Sequence, residues 1–107
     1  MTKPIETPWG TADYADTIAP GIVFYGTPSH GGIWLSAERV KEMPNYFAMA
    51  TFTKSAMWYE EDLDVNMVIV AFPEYFTEKE VDLAGRCLAA MKPEEWAKFT
   101  AERKEAA

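Results

Sequence analysis

Ile22-Val23-Phe24-Tyr25-Gly26-Thr27-Pro28-Ser29-His30-Gly31-Gly32-Ile33-Trp34-Leu35 is the stretch whose reading decides the fold. Its first four residues are β-branched or aromatic and lie between Pro20-Gly21 and Gly26. Such a run between turn formers predicts a strand. Ile33-Trp34-Leu35 predicts a second, and a glycine-rich loop over 27–32 joins them most simply as a hairpin. A hairpin needs further partners to be stable, so the expectation is a small antiparallel sheet packed with helices.

On its N-terminal side, residues 1–20 hold Pro4, Pro8, Gly10 and Pro20, with Trp9 and Tyr14 as anchors. They read as an extended arm laid across the domain, with room for one short helical turn. On the C-terminal side, Ser36 is a good N-cap for Ala37-Glu38-Arg39-Val40-Lys41-Glu42-Met43, which Pro44 stops. Glu38 falls in the first turn, where the helix dipole favours an acid. Residues 45–52 are aromatic and apolar without a clear period, and Thr53-Lys54-Ser55 reads as a turn.

Val65-Asn66-Met67-Val68-Ile69-Val70-Ala71-Phe72 admits two readings. Its length and valines suit a buried strand. Asp62 and Asp64 are well placed as N-caps, Pro73 ends either element, and the balance tips toward helix. Thr77-Glu78-Lys79-Glu80 has capping-box spacing. Val81, Ala84, Leu88 and Met91 then share one helical face, and Pro93 with Glu94 and Glu95 opens another helix. Trp96 and Phe99 should pack on one side of it, and the tail from Arg103 to Ala107 should fray. The fold class is α+β in a single domain over 1–107, with the arm at 1–20 and a C-terminal helical pair at 77–107.

At 107 residues and 49% hydrophobic, the chain can bury a core without disulfides or a structural metal. Its formal charge of −7 argues against nucleic acid and anionic membranes as partners, since both attract Lys and Arg clusters. A protein with a basic surface is the partner class this charge suits. Cys87 has no disulfide partner and reads as a small buried hydrophobe. No apolar run reaches spanning length and no secretory pattern opens the chain, so it reads as cytoplasmic. Nothing in the sequence sets the oligomeric state.

Two motifs carry the chemistry. The first is Ser29-His30-Gly31-Gly32, containing the sole histidine. Glycines let backbone approach a ligand closely, and a histidine supplies a proton or a metal-binding nitrogen. The bland alternative is a turn with positive φ at the glycines and His30 tied to nearby backbone. The second is Trp58-Tyr59-Glu60-Glu61-Asp62-Leu63-Asp64, with four carboxylates in five positions beside the apolar run. Carboxylates repel one another and resist desolvation, so stability alone gives little reason to gather them there.

Glu60, Glu61, Asp62 and Asp64 suit a hard cation, yet their spacing is not that of a calcium loop, and one His with one Cys is too few for zinc. Their alternative is an acid-rich helix start. A His30–carboxylate pair would serve acid–base chemistry if the two met in space. Ser29 beside His30 is a poor nucleophile pair, and no phosphate-loop or dinucleotide pattern is present. We therefore assign no catalytic residue, metal ligand or cofactor. Both motifs are assigned to binding, with Trp58, Tyr59 and Trp34 as apolar anchors.

The segments Pro8-Trp9-Gly10, Ala19-Pro20-Gly21-Ile22-Val23-Phe24, Thr27-Pro28-Ser29-His30-Gly31-Gly32, Leu35-Ser36-Ala37-Glu38-Arg39, Met43-Pro44, Trp58-Tyr59-Glu60-Glu61-Asp62 and Phe72-Pro73-Glu74-Tyr75-Phe76 resemble a domain-of-unknown-function family of small phage, plasmid and proteobacterial proteins. The likeness runs over residues 7–77 and adds to the helix reading of 65–72. The family pattern carries Cys-Asp where this chain has Leu63-Asp64, which argues against a thiol-dependent reaction there. What the resemblance implies is a setting: short acidic proteins on mobile elements commonly inhibit host defence in the host cytoplasm. The expectation is a non-catalytic inhibitor acting by protein binding or charge mimicry. Its alternative is a small-molecule or metal-binding protein, sequestering or hydrolysing a nucleotide in a pocket of His30 and the acids.

Overall fold

The computed structural model describes residues 5–106 of the chain. Four antiparallel strands form the main sheet in the order β3-β4-β5-β6: β3 (Tyr14–Ala19), β4 (Ile22–Gly26), β5 (Gly31–Leu35) and β6 (Trp58–Glu60). A separate two-stranded hairpin, β1 (Glu6–Thr7) with β2 (Gly10–Thr11), precedes it. The expected β4–β5 hairpin is present, with Phe24 opposite Ile33 and Val23 opposite Trp34.

Residues 5–20 are not a plain extended arm. They supply β1, β2 and edge strand β3, and no helical turn occurs in them. Pro20-Gly21 does more than bound a strand, because it turns β3 into β4. Gly21 has φ 80°, which the third position of a Pro-Gly turn demands and a side chain resists. Strands only two residues long carry no alternation for a sequence reading to detect.

Strand alternation sends Ile22, Ile33, Leu35 and Tyr59 to one face of the sheet, where all four are buried. Val23, Tyr25, Trp34 and Trp58 take the other face and are half-buried. The helices cover the first face. They are α1 (Ala37–Glu42), α2 (Asn45–Ala48), α3 (Val65–Ala71), α4 (Glu78–Met91) and α5 (Pro93–Ala106), with a 3-10 turn at Pro73–Tyr75. The segment that suited either strand or helix is helix, burying Met67, Val68 and Val70.

The caps of α1 and α4 match the sequence signals. Ser36 Oγ accepts the Arg39 N–H at 3.3 Å, and Thr77 with Glu80 forms the complete capping box. In α4, Ala84 and Leu88 face the core, whereas Met91 is 62% exposed instead of sharing that face. Trp96 and Phe99 stack with centroids 5.7 Å apart, and Phe99 stacks on Phe47 at 5.2 Å. Each such pair adds about 0.5–1.5 kcal/mol beyond its buried area. In the segment where fraying is expected, α5 is helical to Ala106, and the Arg103 guanidinium covers the Phe99 ring at 4.7 Å. Ala107 lies outside the described residues. Among those described, no helix is long and apolar enough to cross a membrane.

Candidate functional site

The loop joining β4 to β5 is closed through Thr27. The Thr27 N–H donates to the His30 carbonyl at 2.7 Å, as does Thr27 Oγ1, which in turn accepts the His30 N–H at 3.1 Å. His30 is thus fixed through its backbone, while Pro28, Ser29 and His30 are exposed. The ion pairs among the described residues are Arg39–Glu42 and Arg86–Asp82, so His30 is in neither.

Gly31 and Gly32 are not turn glycines. Both belong to β5, and the glycines with positive φ are Gly10 and Gly21. What excludes a side chain at 32 is space: a Cβ there would run into the Trp9 ring and the Tyr59 carbonyl. A Cβ at Gly31 would sit 2.8 Å from the Phe24 ring. Gly32 lets the β1–β2 connection lay Trp9 against the sheet.

β6 brings the second motif alongside the first. Gly32 lies opposite Glu60, and the Glu61 N–H donates to the Gly31 carbonyl at 3.0 Å. The motifs are 28 positions apart between Gly32 and Glu60 in sequence, and neighbours in the sheet. Trp58 stands opposite Trp34 on the outward face. Its ring lies 5.8 Å from that of Tyr25, and Trp9 meets it edge-on at 5.8 Å. Alternation sends Tyr59 the other way. It is fully buried, and its hydroxyl has no partner among the described residues. Burial pushes the phenol pKa up, and the Asp64 charge adds to that.

The carboxylates divide by role. Glu60 Oε1 accepts the N–H groups of Asp62 at 2.8 Å and Leu63 at 2.9 Å, holding the turn into α3. Glu61 and Asp62 are exposed. Asp64 precedes α3 but makes no side-chain cap bond, contrary to the sequence reading. Instead, its carboxylate is 1% exposed and Oδ2 accepts the Phe52 N–H at 2.6 Å. Burial raises its pKa, opposed by the N–H groups of Phe52 and Glu60 and the charges of Lys92 and Lys54.

Glu60, Asp62 and Asp64 line one groove of about 570 Å³ together with Lys54, Lys92 and Phe52. The sequence reading takes Lys54 only as part of a turn, six positions before Glu60, and Lys92 lies 28 positions after Asp64, so no local pattern joins either to the acids. His30 is not part of that lining. No three His, Cys, Asp or Glu side chains group as a metal donor set among the described residues. Cys87 is half-buried and its sulfur accepts from Asn66 Nδ2 at 3.3 Å.

The geometry leaves an aromatic outer sheet face with carboxylates at the end of its last strand. Against known proteins, the family described as Domain of unknown function (DUF7007) matches residues 2–107. The chain belongs to this family. The match takes in the C-terminal helices, which the resemblance in sequence motifs did not reach. Neither the curated proteins nor the solved structures supply a match. In this DUF7007 chain, the residues singled out at 29–32 and 58–64 therefore have to be read from their placement.

Proposed function

We propose that the chain is a non-catalytic acidic binding protein that docks on a basic surface of another protein. One observation carries the reading: the two motifs adjoin on β5 and β6, beside the cross-strand pair Trp34–Trp58. Tryptophans are favoured as interface anchors, and exposed acids such as Glu61 and Asp62 supply complementarity and steering toward a basic partner. Tyr59, being buried, has no part in the contact. The phage and mobile-element setting implied by the resemblance makes a host defence component the partner class we propose, with inhibition by occupancy as the outcome.

The test compares the tagged chain with Glu61→Lys/Asp62→Lys on host lysate. A protein retained by the wild type and lost from the variant, at unchanged melting temperature, supports docking through the acids. Identical capture by both would overturn it.

The mixed-charge groove favours a second reading. A small zwitterion would find both cations, Lys54 and Lys92, and the carboxylates of Glu60, Asp62 and Asp64 in one lining. Calorimetric titration with a free amino acid such as arginine tests it. Heat lost in Lys92→Ala would support it, and no heat with the wild type would remove it.

A further inference from the structure

The two edges of the main sheet are managed differently. At β6, Thr53 Oγ1 donates to the Trp58 carbonyl at 3.1 Å, so a side chain of the preceding loop occupies part of that strand's outer edge. At the other edge stands β3, six residues long and exposed over its first four. Among the described residues it pairs with β4 alone, and no strand pairs with its outer edge. A free edge presents unpaired N–H and C=O groups, which are a template for another strand.

Beside this edge lies a groove of about 500 Å³. Ile18, Phe24, Ile33, Val65, Ile69 and Phe76 are in its apolar lining, and Asp16 and Glu80 add two carboxylates. Asp16 pairs across to Phe24, so it shares the sheet face that the groove opens on. An added strand would extend that face, its inward side chains continuing over the groove. Those near Asp16 would be matched by a cation, those near Ile18 by apolar groups.

The geometry points to β3 as a β-augmentation site for a strand of a partner protein, with an Arg or Lys flanked by apolar residues on its inward face. This inference rests on the docking reading above and adds where backbone recognition occurs. A second copy is the poorer occupant. Two β3 edges paired to each other would gather the Asp16 carboxylates of both copies on one sheet edge, and like charges across strands destabilise pairing. An inward-pointing charge on an edge strand is also a recognised guard against self-association. Here the guard and the selector are the same side chain.

The probe is a capped peptide, acetyl-Thr-Val-Thr-Arg-Thr-Val-Thr-amide, against its counterpart with Glu in place of Arg. Amide exchange of the intact chain is followed by NMR. Outward amides within Tyr14–Ala19 should exchange rapidly in the free protein and slow with the Arg peptide, the Glu peptide binding about tenfold more weakly or worse. Asp16→Lys should invert the preference. Asp16 is the chosen position because Glu80 is committed to the capping box with Thr77. Equal binding of the two peptides, no protection within β3, or a free chain that is dimeric with β3 already protected would each overturn the inference. Glu61→Lys/Asp62→Lys should keep peptide binding. Peptide failure while the lysate partner is retained therefore removes the edge site alone, whereas partner capture indifferent to the acids removes the docking reading.

Discussion

The Asp64 carboxylate holds the backbone N–H of Phe52 across twelve positions of sequence, at 2.6 Å, while the Phe52 side chain above it is 80% exposed. A buried acid thus anchors the loop that precedes β6, and an exposed aromatic is presented by it. Lys54, two residues on, sits at φ 61° in the same loop. Left-handed backbone at a lysine has a cost that surrounding structure must hold in place. Here the turn is closed by the Lys54 N–H donating to the Thr51 carbonyl at 3.2 Å and Thr51 Oγ1 donating to the Ser55 carbonyl at 3.0 Å, while Asp64 ties down Phe52 within it.

Asp64→Ala should therefore lose about 1–3 kcal/mol in chemical denaturation, the cost of leaving the Phe52 N–H unmet. Asp64→Asn keeps an acceptor and removes a buried charge, so it should be at least as stable as the wild type at neutral pH. The pH dependence follows from the raised carboxyl pKa of the folded state. Between the unfolded and folded pKa values the native chain binds more protons, so this group's contribution falls as pH rises through that window. The difference in stability between Asp64→Asn and wild type should shrink on acidification. A gap constant from neutral pH to acid would refute the assignment.

Gly32→Ala should cost about 1–3 kcal/mol, typical of forcing an extra group into packed structure. The added Cβ meets both the Trp9 ring and the Tyr59 carbonyl. Removing Trp9 clears one obstacle only, so Trp9→Ala should not restore Gly32→Ala in full. Denaturation of the single and double variants checks this, and complete rescue would show that the backbone contact is unimportant.

Much of this architecture was open to a reading of the sequence. Thr77 and Glu80 announce their helix because capping is local. Ile22 to Leu35 announces a hairpin because alternation and glycine spacing are local as well. Asp64 was misread for the same reason. Its position before an apolar run is a capping signal, yet its partner comes from twelve residues earlier, and no local pattern encodes that. Trp58 and Tyr59 looked equivalent as anchors until alternation on β6 was fixed by Ile33 and Trp34 across the strand pair. Gly31 and Gly32 are required by neighbours, Trp9 and Phe24, that only the tertiary fold supplies. The groove's lysines, Lys54 and Lys92, are of this kind too.

His30→Ala and Thr27→Ala should behave differently. The His30 imidazole is exposed, and the loop is closed by Thr27 through the backbone of residue 30. His30→Ala should change stability by less than about 0.5 kcal/mol, as for surface positions away from special features. Thr27→Ala loses two side-chain bonds and should cost about 1 kcal/mol or more. If His30→Ala were the more damaging, the imidazole would have a structural partner and its place among binding candidates would fall.

Tyr59→Phe provides the sharpest check on the core. The ring is fully buried opposite Ile33, and the hydroxyl finds no partner among the described residues. A buried unsatisfied polar atom typically costs about 1–3 kcal/mol. Removing it leaves the ring and its packing intact, so Tyr59→Phe should hold or raise stability, where most buried substitutions lower it. The neighbourhood sharpens the expectation: burial disfavours ionisation of this phenol, and the Asp64 charge adds to the effect. Tyr59→Phe should accordingly leave the alkaline limb of the stability profile unchanged apart from the loss of this one late titration. A destabilisation of about 1 kcal/mol or more would mean that the hydroxyl makes a bond in solution. Asp64 would then be the first partner to test, by combining Asp64→Asn with Tyr59→Phe in a double-mutant cycle.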